Sequence, residues 1–216
     1  MPAKGDRYHH GDLRSALVDA AIGVIDERGV RDFSMAEASR RLGVTTAAPY
    51  RHFADRDELL AAVATRALTV FEAMLSGAAD ATDTPAGGLA AMAGAYVRFA
   101  AQQRPLFDAL FNSGLDKSRH PELQRAWEPV DALLTTVVLE VCDGDAAAAD
   151  ALGDAIQATA HGYAMLLTDG EYGEGTDAVS ATADRAIASA RALIAGRAAL
   201  RAQALPEATA HPETTA

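Results

Sequence analysis

Ser34-Met35-Ala36-Glu37-Ala38-Ser39-Arg40-Arg41-Leu42-Gly43-Val44-Thr45-Thr46-Ala47-Ala48-Pro49-Tyr50-Arg51-His52-Phe53 is the stretch on which the fold turns. Ser34 with Glu37 three residues on forms a capping box. The serine hydroxyl accepts from the Glu37 amide, the carboxylate reaches back to the Ser34 amide, and a helix starts at Met35. That helix runs to about Leu42, because Gly43 is the residue that most easily leaves a helix through a left-handed conformation. Thr45 is the next cap, and Thr46 to Phe53 has the length for two turns of a further helix. Pro49 lacks an amide donor and its ring clashes with the preceding turn, so this helix begins no earlier than about Thr45.

Working outward, Leu13, Ala16, Leu17, Ala20, Ala21, Val24 and Ile25 recur at three- and four-residue intervals, which makes residues 12–28 an amphipathic helix stopped by Gly29. Downstream, Asp55-Arg56-Asp57-Glu58 opens a long helix striped by Leu60, Val63, Ala67, Val70, Phe71 and Met74. Two short helices about a glycine turn, braced by a third, are the unit that offers its second short helix to a DNA major groove. Thr45, Thr46 and Ala47 are small or hydrogen-bonding and allow close approach to bases, and Arg51 suits guanine or a phosphate. Tyr50, His52 and Arg56 suit phosphate contacts that set register. An ordinary αα-hairpin in a helical core has the same outline, and charge separates the two readings.

The 216 residues carry a net charge of −11, which argues against a polyanionic partner until its distribution is considered. Residues 28–56 hold six arginines against three acids, while the acidity lies in the second part of the chain. Alanine fills 51 positions and aromatics only 6%, so helix is favoured over sheet and an all-α protein is expected. A lone cysteine, Cys142, excludes an intrachain disulfide. Without an apolar leader or a run of about 18 apolar residues, the expectation is a soluble cytoplasmic protein with no membrane partner. Catalytic motifs are missing: there is no HExxH, GxSxG, P-loop or GxGxxG, so neither an enzyme nor a cofactor is expected. For metal, His9-His10 and the carboxylates Asp143, Asp145, Asp150 and Asp154 are weak candidates, the latter reading better as a solvated acidic face.

Gly77 to Gly88, rich in turn formers, reads as a linker. The expected organisation is a helix-turn-helix domain over 1–54, a linking helix over 55–76, a larger helical domain for effector binding and dimerisation over 77–204, and a disordered tail over 205–216. Helical patterns cover about 89–103, 105–112, 121–142, 145–168 and 177–203. Met92, Tyr96, Phe99, Phe107, Phe111, Trp127, Val130, Leu134, His161 and Met165 come from successive helices and either converge on a pocket or pack as core. A histidine on an apolar face needs a partner, so His161 is paired internally or aimed at a ligand. The last two long helices, alanine-rich on several faces, read either as a dimer interface or as coding bias alone.

The chain resembles the TetR-type transcriptional regulators. The resemblance lies in Tyr8-His9-His10-Gly11-Asp12-Leu13-Arg14, Leu42-Gly43-Val44-Thr45, Tyr50-Arg51-His52-Phe53 and Asp55-Arg56-Asp57-Glu58-Leu59-Leu60, within residues 8–63. Pro49 departs from the family's usual leucine or isoleucine. The resemblance implies that Thr45, Thr46 and Ala47 meet bases, with Ser34, Tyr50, His52 and Arg56 on the DNA side. It implies a homodimer on a near-palindromic duplex operator, repressing transcription until a small-molecule effector releases it, and the mixed aromatic and aliphatic candidate pocket residues point to a mainly apolar one. The alternatives are a helical ligand-binding or protein-interaction module that never meets DNA, and a helical enzyme built on His161 with Asp169 and Glu171.

Overall fold

A computed structural model describes residues 10–201, so His9 and the tail 205–216 lie outside the described residues. Helix α1 (His10–Arg28) buries Leu17, Ala20, Ala21, Val24 and Ile25, as the periodicity requires, and Gly29 follows at φ 81°. Helix α2 (Met35–Arg41) is capped by the Ser34 hydroxyl, which accepts from the Glu37 amide at 3.3 Å. Only half of the expected box forms. The Glu37 carboxylate pairs instead with Arg40 and with Arg28, the latter at 3.1 Å, because two guanidiniums outbid one amide for it. Gly43 leaves α2 at φ 66°.

The second short helix is much shorter than the sequence implied. Thr46 to Phe53 does not make two α-turns: the helical core is a single 3₁₀ turn, Pro49–Arg51, within a run of tight bonds in which Ala48 donates to Thr45, Arg51 to Ala48 and His52 to Pro49. Proline is the cause. An α-turn would require the residue at position 49 to donate to the Thr45 carbonyl, and the Ala48 amide takes that acceptor instead at 3.0 Å.

Asp55 caps α3 (Arg56–Asp80) by accepting from the Glu58 amide at 2.9 Å, and Glu58 accepts in turn from the Ala54 amide. The 25-residue α3 overruns the start of the expected linker, and only four residues separate it from α4 (Pro85–Gln102), which has Gly87 and Gly88 inside the helix. By length and composition α3 is apolar enough to cross a membrane, but half of its most apolar window is packed inside the protein, as in a core helix.

The short α5 (Arg104–Phe107) runs into a π-helical turn, Asp108–Asn112, and a 3₁₀ turn, Lys117–Arg119, leads to α6 (Pro121–Val141). The final pattern breaks at Gly196, giving α7 (Ala146–Thr168), α8 (Gly175–Ala195) and a short α9 (Arg197–Arg201). No strand occurs among the described residues. Buried residues form one connected apolar cluster from Leu17 to Ile194, with α4 at its centre between α3, α7 and α8. At the α4–α8 crossing a Cβ on Gly94 would lie 2.7 Å from the Ile187 Cδ1, so any larger residue there must displace the Ile187 side chain.

Candidate nucleic-acid interface and interior cavity

Beneath the Thr45–Arg51 segment, Ala38, Ser39, Pro49 and Phe53 are buried, and Ser39 donates to the Met35 carbonyl at 2.8 Å. Above this floor, Ser34, Thr45, Thr46, Ala47, Tyr50 and Arg51 are exposed and His52 is half-buried. Tyr50 has 61% of its surface in solvent, which is unusual for a large aromatic side chain.

The six arginines of this region divide sharply. Arg28 and Arg40 are held by Glu37, and Arg41 is held by Glu27 at 2.9 Å while lying over Gly23. Arg56 is a brace: it donates to the Phe33 carbonyl at 3.0 Å and the Val30 carbonyl at 2.8 Å, contacts Asp57, and lies 5.7 Å from the Phe33 ring centre. Arg56, expected as a phosphate ligand, has three of its five N–H donors engaged, two by backbone carbonyls and one by Asp57, which leaves two for any further acceptor. Arg31 and Arg51 are exposed and make no side-chain ion pair or hydrogen bond among the described residues. Arg31 was counted among the arginines of this stretch but not named as a contact residue; its place in the loop between two helices was the available signal.

A cavity of about 350 Å³ lies between α3, α4, α6 and α7. Six of the ten candidate pocket residues line it: Met92, Tyr96, Phe111, Trp127, Val130 and Leu134. Phe99, Phe107, His161 and Met165 do not. Phe99 and Phe107 are fully buried a turn or more beyond Tyr96 and pack on Phe71 and Phe111, forming the wall behind the cavity. On α7 the lining ends at Ala160, leaving His161 and Met165 past it.

His161 is paired internally, its Nδ1 lying 2.8 Å from the Tyr96 hydroxyl. Burial first, and the Lys117 charge second, hold its imidazole below the usual histidine range, while burial pushes the Tyr96 hydroxyl up. Both groups are thus neutral near pH 7, and one hydrogen bond joins them, its direction set by which ring nitrogen carries the proton. The sequence reading missed Phe71 and Leu75 of α3 as lining residues, although their four-residue spacing was visible, and missed Asp131, Asp150 and Asp154 at the mouth.

α3 takes part in both regions. Its first turns bury Leu59, Leu60 and Val63 under the N-terminal helices, and its later turns present Phe71 and Leu75 to the cavity. Arg14 of α1 lies 5.0 Å from the Phe53 ring centre and 3.8 Å from the Glu122 carboxylate of α6.

Two family descriptions match the chain: "Bacterial regulatory proteins, tetR family" over residues 17–63, and "Tetracyclin repressor-like, C-terminal domain" over residues 89–190. A curated relative, the HTH-type transcriptional regulator BetI of Brucella anthropi, is 33% identical over 90 residues, which is 42% of this chain and 45% of that protein. The match therefore spans less than half of the relative's length. Among solved structures, a protein of unknown function from Rhodococcus sp. RHA1 is 28% identical with a TM-score of 0.67, covering 85% of this chain and 98% of the other. A bacterial regulatory protein of the tetR family from Rhodococcus RHA1 shares the fold at 16% identity and a TM-score of 0.66, covering 84% of this chain and 96% of that one. With both halves of the architecture matched in order along one chain, it belongs to the TetR family of bacterial regulatory proteins.

Proposed function

We propose that this chain is a sequence-specific DNA-binding transcriptional regulator, working in the cytoplasm as a homodimer and repressing from a near-palindromic operator until an effector enters the cavity. One observation carries the reading: Thr45, Thr46, Ala47, Tyr50 and Arg51 stand exposed in one short segment anchored by the buried Ala38, Ser39, Pro49 and Phe53. Small side chains over a packed support let the backbone approach base edges, while Tyr50, Arg51 and Arg31 reach phosphates. His52 and Ser34 sit at the margin of this surface.

For dimerisation, α7 leaves Ala158 and Leu166 exposed and Ala151, Ala155 and Gly162 half-buried, and α8 leaves Ala181, Ala188, Ala192 and Ala195 exposed. Such a small-residue face supports close packing against a symmetry mate. Two interfaces related by that dyad would meet successive major grooves about 34 to 36 Å apart. The division of labour proposed is an N-terminal reading head, α3 as the connection, and the remaining helices as effector and dimer domain. An effector pressing on Phe71 and Leu75 acts on the same helix that seats the reading head, and differential affinity for two dimer spacings is what release requires.

Selection of duplex fragments from a genomic pool by the purified chain, followed by titration of the recovered fragment, tests the reading. A single enriched, dyad-symmetric fragment bound by two chains supports it. A strictly monomeric particle indifferent to every duplex at low salt refutes it.

A further inference from the structure

Resting on the reading of the cavity as an effector site, we propose that its ligand is an amphipathic organic cation, a compact ammonium group joined to an aromatic or short aliphatic body. Every charged residue lining the cavity is acidic: Asp131 from α6, and Asp150 and Asp154 from α7. All three are exposed at the mouth, and none has a hydrogen bond or ion pair among the described residues. Asp150 and Asp154 are one helical turn apart, a like-charge spacing that a helix disfavours, and Asp131 approaches from the neighbouring helix. Low-dielectric walls concentrate the field of such a rim, so an entering positive charge is attracted by all three carboxylates.

The rim does not fit a small metal ion. No group of carboxylates, histidines and cysteines among the described residues converges closely enough to hold one. A diffuse ammonium charge needs no such convergence. Within, Phe71, Tyr96, Phe111 and Trp127 present four aromatic rings, whose negative faces favour cations. Phe111 and Trp127 already meet the Lys117 ammonium, at 5.4 and 4.9 Å from their ring centres, so Phe71, Tyr96 and the carboxylate rim are left to meet the charge of the ligand. Leu75, Met92 and Val130 supply the apolar surface for the ligand's body. A volume of about 350 Å³ limits that body to a small molecule, at the lower end of ligand pockets.

Three probes of nearly equal shape separate the classes: benzyltrimethylammonium, the neutral neopentylbenzene and the anionic benzylsulfonate. Binding to the full-length dimer is followed by calorimetry and by the fluorescence of Trp127, the sole tryptophan. The cation is expected to bind at least tenfold more tightly than the neutral probe at low salt, with the ratio shrinking as salt rises. In the double variant Asp131→Asn, Asp154→Asn the ratio should fall to about threefold or less. Equal affinity for cation and neutral probe overturns the proposal while leaving the cavity as an effector site. Tightest binding by the sulfonate, lost in Lys117→Met, overturns it in favour of an anionic ligand. Failure of all three to bind overturns both the proposal and the effector reading on which it rests.

Discussion

Replacing Arg56 with alanine separates a structural arginine from a DNA-contacting one. Its guanidinium donates to the Val30 and Phe33 carbonyls at 2.8 and 3.0 Å and crosses the Phe33 ring, tying the α1–α2 loop to the start of α3. Charged hydrogen bonds contribute about 1.5–3 kcal/mol each when sheltered. With 37% of the side chain in solvent, the lower end applies, and two such bonds give a loss of about 2–3 kcal/mol for Arg56→Ala. For a chain of this size that lowers the melting midpoint by roughly 5–10 °C. The salt dependence of DNA binding should stay unchanged, because no phosphate contact is removed. Arg51→Ala, with a free and exposed side chain, should do the reverse, keeping the melting midpoint while reducing the slope of log K against log salt by about 0.9 per bound protomer. Calorimetric melting together with fluorescence anisotropy at several salt concentrations reads both quantities. An Arg56→Ala protein as stable as its parent, but with the reduced slope, would refute the brace and return Arg56 to the phosphates.

Gly94→Ala should cost about 1–3 kcal/mol by forcing Ile187 out of its place, and Ile187→Val should recover part of that loss in urea unfolding. His161 gives a pH signature: its folded pKa is depressed, so the unfolded chain takes up this proton at the higher pH. Stability is therefore fully present above the ordinary value of about 6.5, and falls as pH drops through that value until the folded imidazole itself protonates. Urea midpoints at pH 7.5 and 5.5 should converge in His161→Asn relative to the parent, and an identical drop in both proteins would dismiss the effect. Asp55→Ala removes the cap on the Glu58 amide and should cost about 1 kcal/mol without altering which DNA sequences are preferred.

Signals carried by neighbouring residues were legible. Ser34, Asp55 and Gly43 announce helix ends through hydrogen bonds or backbone angles that span three or four residues, and the structure has those ends. Features set by packing were not. Gly87 and Gly88 looked like a linker, yet Thr84 caps α4 by accepting from the Gly87 amide at 3.1 Å, and Gly88 is buried in the first turn of that helix. The reading helix was overestimated because Pro49 was weighed only as a limit on where an α-helix starts, when it also selects the 3₁₀ pattern. For the cavity, the contributing side-chain types were visible, but its far end was not. Whether Phe99 or His161 faces open space depends on how far adjacent helices slide past one another, which periodicity along a single helix does not record.

The central claim is that Thr45 to Arg51 reads base sequence. Enrichment from a random duplex pool, carried out in parallel with the parent and with Thr46→Val, tests it most directly. The parent should recover one near-palindromic sequence with half-sites about one helical turn apart, and the variant a sequence altered at only a few symmetry-related base pairs. Recovery of the same sequence by both proteins, or of none by the parent, would contradict the claim.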